Sequence, residues 1–181
     1  MKIDIKDKIS FDIDGNDLPN EVLESISNQL NEQTNGYIIG VIREYDEPIE
    51  SYETPSIASM LSMNFGSRHV DIQNKLGAQG EDYKKYEFCI EAKFLPNYKF
   101  RLLFIGFRIG GYPCKLVLEE SIADEINKNV DCGYIYTIND KNDLEDTIAA
   151  IMGTNTFIRI IQEIITASNR NIKRLEKKDS K

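Results

Sequence analysis

The sequence predicts an α+β domain: a mainly antiparallel sheet that includes a three-stranded meander, helices packed on one of its faces, and a helix pair at the C-terminal end. Three observations lead there. Residues 86–120, YEFCIEAKFLPNYKFRLLFIGFRIGGYPCKLVLEE, hold three apolar or alternating runs separated by two turn signals, the pattern of strands joined by hairpins. Beyond residue 140 the apolar positions instead recur every three or four residues, the period of helices lying on a core. A chain of 181 residues, 41% apolar and 29% charged, can bury one substantial core and does not require a second. The expected division is one domain over residues 1–168 and a basic, frayed tail over 169–181.

From the start of the chain, KIDI and ISFDI alternate as strands, and DGND follows as a turn. A helix comes next. Pro19 suits its first turn, Val22, Leu23, Ile26 and Leu30 share one face, Glu21, Glu24, Asn28 and Asn31 take the other, and Asn35-Gly36 stops it. YIIGVIREY, residues 37–45, is β-branched and apolar for six residues before it turns charged, which suits a central strand. DEPIESYETP is an acidic loop with two prolines. Residues 57–65, IASMLSMNF, fit helical and strand templates about equally, with a lean to helix. Residues 66–82, with three glycines, predict a surface excursion or an irregular strand.

In the meander Tyr86, Phe88, Ile90, Ala92 and Phe94 alternate with Glu87, Cys89, Glu91 and Lys93, giving one core face and one polar face. LPNY turns the chain into FRLLFIGFRI, apolar on both faces at its middle, and Gly110-Gly111 turns it again into YPCKLVL. A short helix near 120–129 points Ile122, Ala123 and Ile126 inward, and GYIYTI is a strand. Asn139 or Asp140 then caps a helix striped by Leu144, Ile148, Ile151 and Met152 that Gly153 ends. Thr154 or Thr156 begins the last helix, whose apolar set runs from Phe157 through Ile161, Ile164, Ile165 and Ile172 to Leu175.

Charge is unevenly distributed. The net −8 divides into −9 over residues 1–60, +2 over 61–120 and −1 over 121–181, so the acidity belongs to the first third. Such a chain repels nucleic acid and favours basic partners. It lacks the roughly 18 consecutive apolar residues of a membrane helix and the apolar centre of a secretory signal, so a cytoplasmic location without membrane association is expected. Cys89, Cys114 and Cys132, odd in number and widely spaced, point away from a disulfide framework and from structural zinc. The abundance of Ile, Asn and Lys fits the AT-rich coding of a low-GC bacterium or its phage.

Candidate chemistry is sparse. FDIDGNDLPNEV resembles a calcium loop, but counted from Asp12 it places Gly15 fourth instead of sixth and Leu23 where the closing glutamate belongs; a turn and an acidic helix start account for the same residues. EAK, with Glu91 and Lys93 two apart on one strand face, resembles the PD-(D/E)xK nucleases. That resemblance implies Mg²⁺ held by Glu91 and a preceding acid, Asp82 or Asp71, with Lys93 activating the attacking water. The chain departs from that family in having a strand next where a helix is usual, and no Pro-Asp before the motif. His69 is the sole histidine and sits with Asp71 in a polar segment, so any triad must use it. Cys114, after Pro113 at a strand start, reads as a small buried side chain. GFRIGGYPC lacks the Lys-Ser/Thr ending of a phosphate loop.

Lys93, Lys99, Arg101 and Arg108 lie among Phe94, Tyr98, Phe100 and Phe107, a mixture that suits single-stranded nucleic acid, although the net charge opposes it. The last helix ends in a basic stretch and is the strongest interaction feature. The function expected is therefore a non-catalytic macromolecule-binding protein in an accessory, immunity-like or inhibitory role. It needs no cofactor or metal, and it contacts a protein partner or a second copy through Arg101, Arg108, Arg170, Lys173 and Arg174. The alternative is a Mg²⁺-dependent nuclease using Glu91, Lys93 and Asp82. No family pattern extends over the length of the chain.

Overall fold

The structure, a computed structural model, describes residues 17–46, 50–53, 68–71, 83–127 and 134–179, with the backbone alone for 50–53 and 68–71. KIDI, ISFDI, the first half of FDIDGNDLPNEV, IASMLSMNF, Asp82 and Cys132 lie outside the described residues. In chain order the elements are α1 (Pro19–Gln33), β1 (Ile38–Glu44), β2 (Glu50–Glu53), β3 (Arg68–Asp71), β4 (Tyr83–Ala92), β5 (Lys99–Arg108), β6 (Cys114–Leu118), α2 (Glu120–Ile126), β7 (Ile135–Ile138), α3 (Lys141–Met152) and α4 (Asn155–Asp179). Five strands form one antiparallel sheet in the order β1-β4-β5-β6-β7, and β2 pairs with β3 in a separate two-stranded ribbon. The α+β architecture, the meander β4-β5-β6 and the C-terminal helix pair are all present. Residues 50–53, expected as loop, and 68–71, expected as a surface excursion or an irregular strand, pair as this ribbon.

Core residues come from every helix and from one face of the sheet. Leu23, Phe88, Ile90, Leu102, Leu103, Ile105, Leu116, Ile122, Leu144 and Ile151 are all essentially inaccessible. Phe88 faces Leu103 on one side and Ile42 on the other, while Ile105 faces Leu116. A β-bulge opposite Phe88 and Cys89 inserts Leu102 as an extra residue in β5, so Leu102 and Leu103 both reach the core. This is why FRLLFIGFRI looks apolar on both faces.

One expectation fails among the described residues: β1 is not a central strand there. It lies at the sheet's edge and pairs only with β4 among the described residues. Its apolar character comes instead from α1, which packs directly on it. Gly40 makes the approach close, because a methyl group there would lie 2.6 Å from Ser27 Oγ and 2.7 Å from Phe88 Cε2. Ser27 donates to the Gly40 carbonyl at 2.7 Å, and Asn31 Nδ2 donates to the Ile38 carbonyl at 2.7 Å. Asn31, expected on the outer face of the helix, is thus the group that satisfies the strand's outward carbonyl. Between the two elements, Asn35 (φ 50°) and Gly36 (φ 76°) adopt the left-handed conformation that ends α1.

The helix starts are capped as the sequence predicts, with one addition. Asp140 accepts from the Asp143 amide at 2.9 Å, and Thr154 Oγ1 accepts from the Phe157 amide at 3.2 Å. α4 also has a cap from another element. The Glu125 carboxylate of α2 accepts from the Asn155 amide at 2.6 Å and the Thr156 amide at 2.9 Å, which lowers its pKa from 4.5 to about 2. A depressed carboxylate pKa contributes stability that is complete above the unfolded value and lost as pH falls through the folded one. Glu125→Gln is therefore expected to lower the urea midpoint at about pH 6, with the gap to wild type closing as pH is taken from about 4.5 towards about 2. A gap of the same size at both ends of that range would show that the carboxylate charge is not what holds the helix start.

α3 and α4 meet at a 62° bend, and no single helix among the described residues is long and apolar enough to cross a membrane. α4 continues unbroken past residue 169. Asn169 accepts from the Tyr37 hydroxyl at 2.7 Å and Asn171 Nδ2 donates to the Phe94 carbonyl at 2.8 Å, which ties this stretch to the domain. From Lys173 to Lys178 every residue is exposed, and the backbone is helical to Asp179.

Candidate functional site

The sheet face opposite the helices carries the remaining chemistry. Strand register places on it Arg43 from β1, Lys85, Glu87, Cys89 and Glu91 from β4, Lys99, Arg101, Phe104 and Arg108 from β5, and Lys115 and Val117 from β6. Among the described residues this gives six basic side chains against two carboxylates. The bulge at Leu102 has a second effect on this face. Arg101 and Arg108 are seven residues apart and would point to opposite faces of a regular strand; the extra residue returns both to one face. They sit towards opposite ends of β5, so the structure aligns them without bringing them together.

The polar face of β4 is polar in composition but not solvated. Lys85 is 1% exposed and Glu87 5%, and Cys89 is wholly buried. Glu87 is the hub: Lys99 Nζ donates to Oε1 at 2.5 Å and Arg101 Nε to Oε2 at 3.0 Å. Burial acts to raise the Glu87 pKa, but the two cationic donors outweigh it and the net shift is downward. Because Lys99 and Arg101 are more than a third exposed, water screens part of that attraction. Glu87→Gln is accordingly expected to cost about 1 kcal/mol by chemical denaturation near neutral pH. A loss of several kcal/mol would mean that the pair is effectively desolvated.

Arg101 is held from three sides. Besides the bond to Glu87, its guanidinium lies 4.5 Å from the Phe104 ring centroid and 5.4 Å from that of Tyr45. Those two rings pack against each other at 4.7 Å, and Lys85 Nζ stands 5.9 Å from the Tyr45 centroid. Tyr83 and Val117 are buried beside them. The Tyr83 hydroxyl occupies the space above Gly106, and its pKa is pushed up to about 12 chiefly by burial, so it stays protonated.

Other residues singled out by the sequence are dispersed. Glu91 forms an ion pair with Arg43 at 2.5 Å. Lys93 lies one residue past the end of β4, with its amide on the Tyr37 carbonyl and its ammonium over the Phe94 ring at 5.6 Å. Asp71 ends β3, His69 lies within it, and Asp82 falls outside the described residues. Among the described residues no group of three His, Cys, Asp or Glu side chains is placed to hold a metal ion. Cys114 is buried as expected, and burial raises its thiol to about 12. Arg170, Lys173 and Arg174 are exposed along α4.

Sequence reasoning placed Glu87 on the polar face without giving it a role, and among the members of the site described above it did not name Arg43, Tyr45, Lys85, Phe104 or Lys115. The signal available for that role was Glu87 alternating with Cys89 across a turn from Lys99 and Arg101, which also alternate. Arg43 and Tyr45 could be found only from the pairing of β1 with β4. No family model matches the chain, and no curated protein or solved structure matches it.

Proposed function

We propose that the protein is a non-catalytic, cytoplasmic binding protein that works by contact with another protein, in an accessory, immunity-like or inhibitory role. The contact is made on the sheet face opposite the helices. One observation supports this most: a chain of net charge −8 gathers basic side chains on this face, two of them arginines with side chains 45% exposed. Anchored arginines beside aromatic rings are the residues that dominate protein interfaces. The acidity of the remaining chain disfavours a polyanion such as nucleic acid.

Tagged wild type and the Arg43→Glu, Arg101→Glu double variant, incubated with nuclease-treated lysate, test this reading. A stoichiometric protein captured by wild type and lost in the variant is expected; equal capture by both would place the contact elsewhere. A Mg²⁺-dependent nuclease built on Glu91 and Lys93 makes the contrary prediction, cleavage of DNA or RNA that Glu91→Ala abolishes, whereas the binding reading expects intact substrates.

A further inference from the structure

We infer that Arg101 is the receptor for a carboxylate of the partner, and that the partner presents an acidic peptide segment to this face. The inference rests on the protein-binding reading and names the chemistry of its ligand.

The guanidinium has donors to spare. Arginine offers five N–H groups, and Arg101 uses Nε on Glu87. Among the described residues its two terminal amino groups hold no partner, while the side chain remains 45% exposed. Phe104, Tyr45 and Glu87 fix the plane of the group, so little rotamer freedom remains to be lost when an anion arrives. A fixed guanidinium edge with two parallel N–H groups matches the two oxygens of a carboxylate. Glu87 already demonstrates the chemistry within the chain, since a carboxylate is what Lys99 and Arg101 hold between them. Arg43, paired with Glu91, and Lys99, paired with Glu87, are further cations on this face, with side chains 45% and 38% exposed, that a second acid of the segment can meet.

One feature selects an acidic peptide over single-stranded nucleic acid. The Tyr45 and Phe104 rings already carry cations and lean on each other, so they are not open platforms for bases.

The test is fluorescence anisotropy with a labelled peptide of about eight glutamates and, separately, a labelled oligothymidine of equal charge. Wild type, Arg101→Lys and, as a control on the exposed surface of α4, Arg159→Lys are compared. Arg101→Lys keeps the charge and removes the fork, so an affinity loss of about tenfold is expected for the peptide, the scale of one charge-assisted hydrogen bond. Arg159→Lys should be unchanged, and oligothymidine should bind more weakly than the peptide. Equal peptide affinity for Arg101→Lys and wild type would overturn the inference, as would oligothymidine binding as tightly as the peptide, or no binding at all. Repeating the lysate capture with Arg101→Lys separates the two levels. A partner retained by that variant sinks the role of Arg101 and leaves protein binding standing, while no partner for wild type sinks both.

Discussion

Phe88→Ala is expected to lower the free energy of unfolding by about 3–5 kcal/mol, the upper end of what a single core truncation costs. Phe88 is completely buried at the middle of β4, flanked by Leu103 of β5 and Ile42 of β1, with α1 approaching above Gly40. Removing the ring forfeits its transfer free energy. It also opens a cavity that a sheet hydrogen-bonded on both sides of β4 cannot collapse to fill. For a chain of this size the thermal midpoint should fall by about 10 °C. A cost near about 1 kcal/mol would mean that α1 settles into the vacated space, and would contradict the rigid packing of helix on strand.

Gly40→Ala should come next in size, and it acts by excess volume. The added methyl would stand 2.6 Å from Ser27 Oγ, 2.9 Å from Ser27 Cβ and 2.7 Å from Phe88 Cε2, all closer than such contacts tolerate. α1 must lift, and the Ser27 bond to the Gly40 carbonyl stretches or breaks with it. Overpacking of this kind and the lost hydrogen bond together are expected to cost about 2–4 kcal/mol. Because the methyl and the Phe88 ring compete for the same space, the two substitutions should not be additive. Gly40→Ala should cost distinctly less in the Phe88→Ala background than in wild type, measured as a double-mutant cycle by chemical denaturation. Additive costs would show that Ser27 alone, not Phe88, sets the distance between helix and strand.

Much of this fold is legible in the sequence, and the limits have physical causes. Alternation correctly assigns Tyr86, Phe88, Ile90 and Ala92 to the core face of β4, because a two-residue period follows from strand geometry alone. Helix starts at Asp140 and Thr154 are legible because caps are local. The edge position of β1 is not, since an apolar run records burial and cannot say whether strands or a helix bury it. The charged face is half legible. Alternation shows that Glu87, Cys89 and Glu91 share a side, but whether that side meets water depends on packing at long range, and Glu87 at 5% exposure lies far from a solvated strand face. The bulge at Leu102 is the least accessible feature, because one inserted residue inverts the parity of everything beyond it. Without it, Arg101 and Arg108 would fall on opposite sides of the sheet.

The hydrogen bonds from Ser27 and Asn31 to β1 reach beyond stability. Fibrils and strand-exchanged dimers grow by adding backbone to a sheet edge whose donors and acceptors are vacant. On β1 the carbonyls of Ile38 and Gly40 are already occupied, so an incoming chain finds rungs missing from the ladder. Peeling of this one helix, well short of global unfolding, would free both carbonyls for an incoming strand. Substitutions that loosen α1 while sparing the rest of the core should show themselves first as time-dependent aggregation of a protein that is still folded.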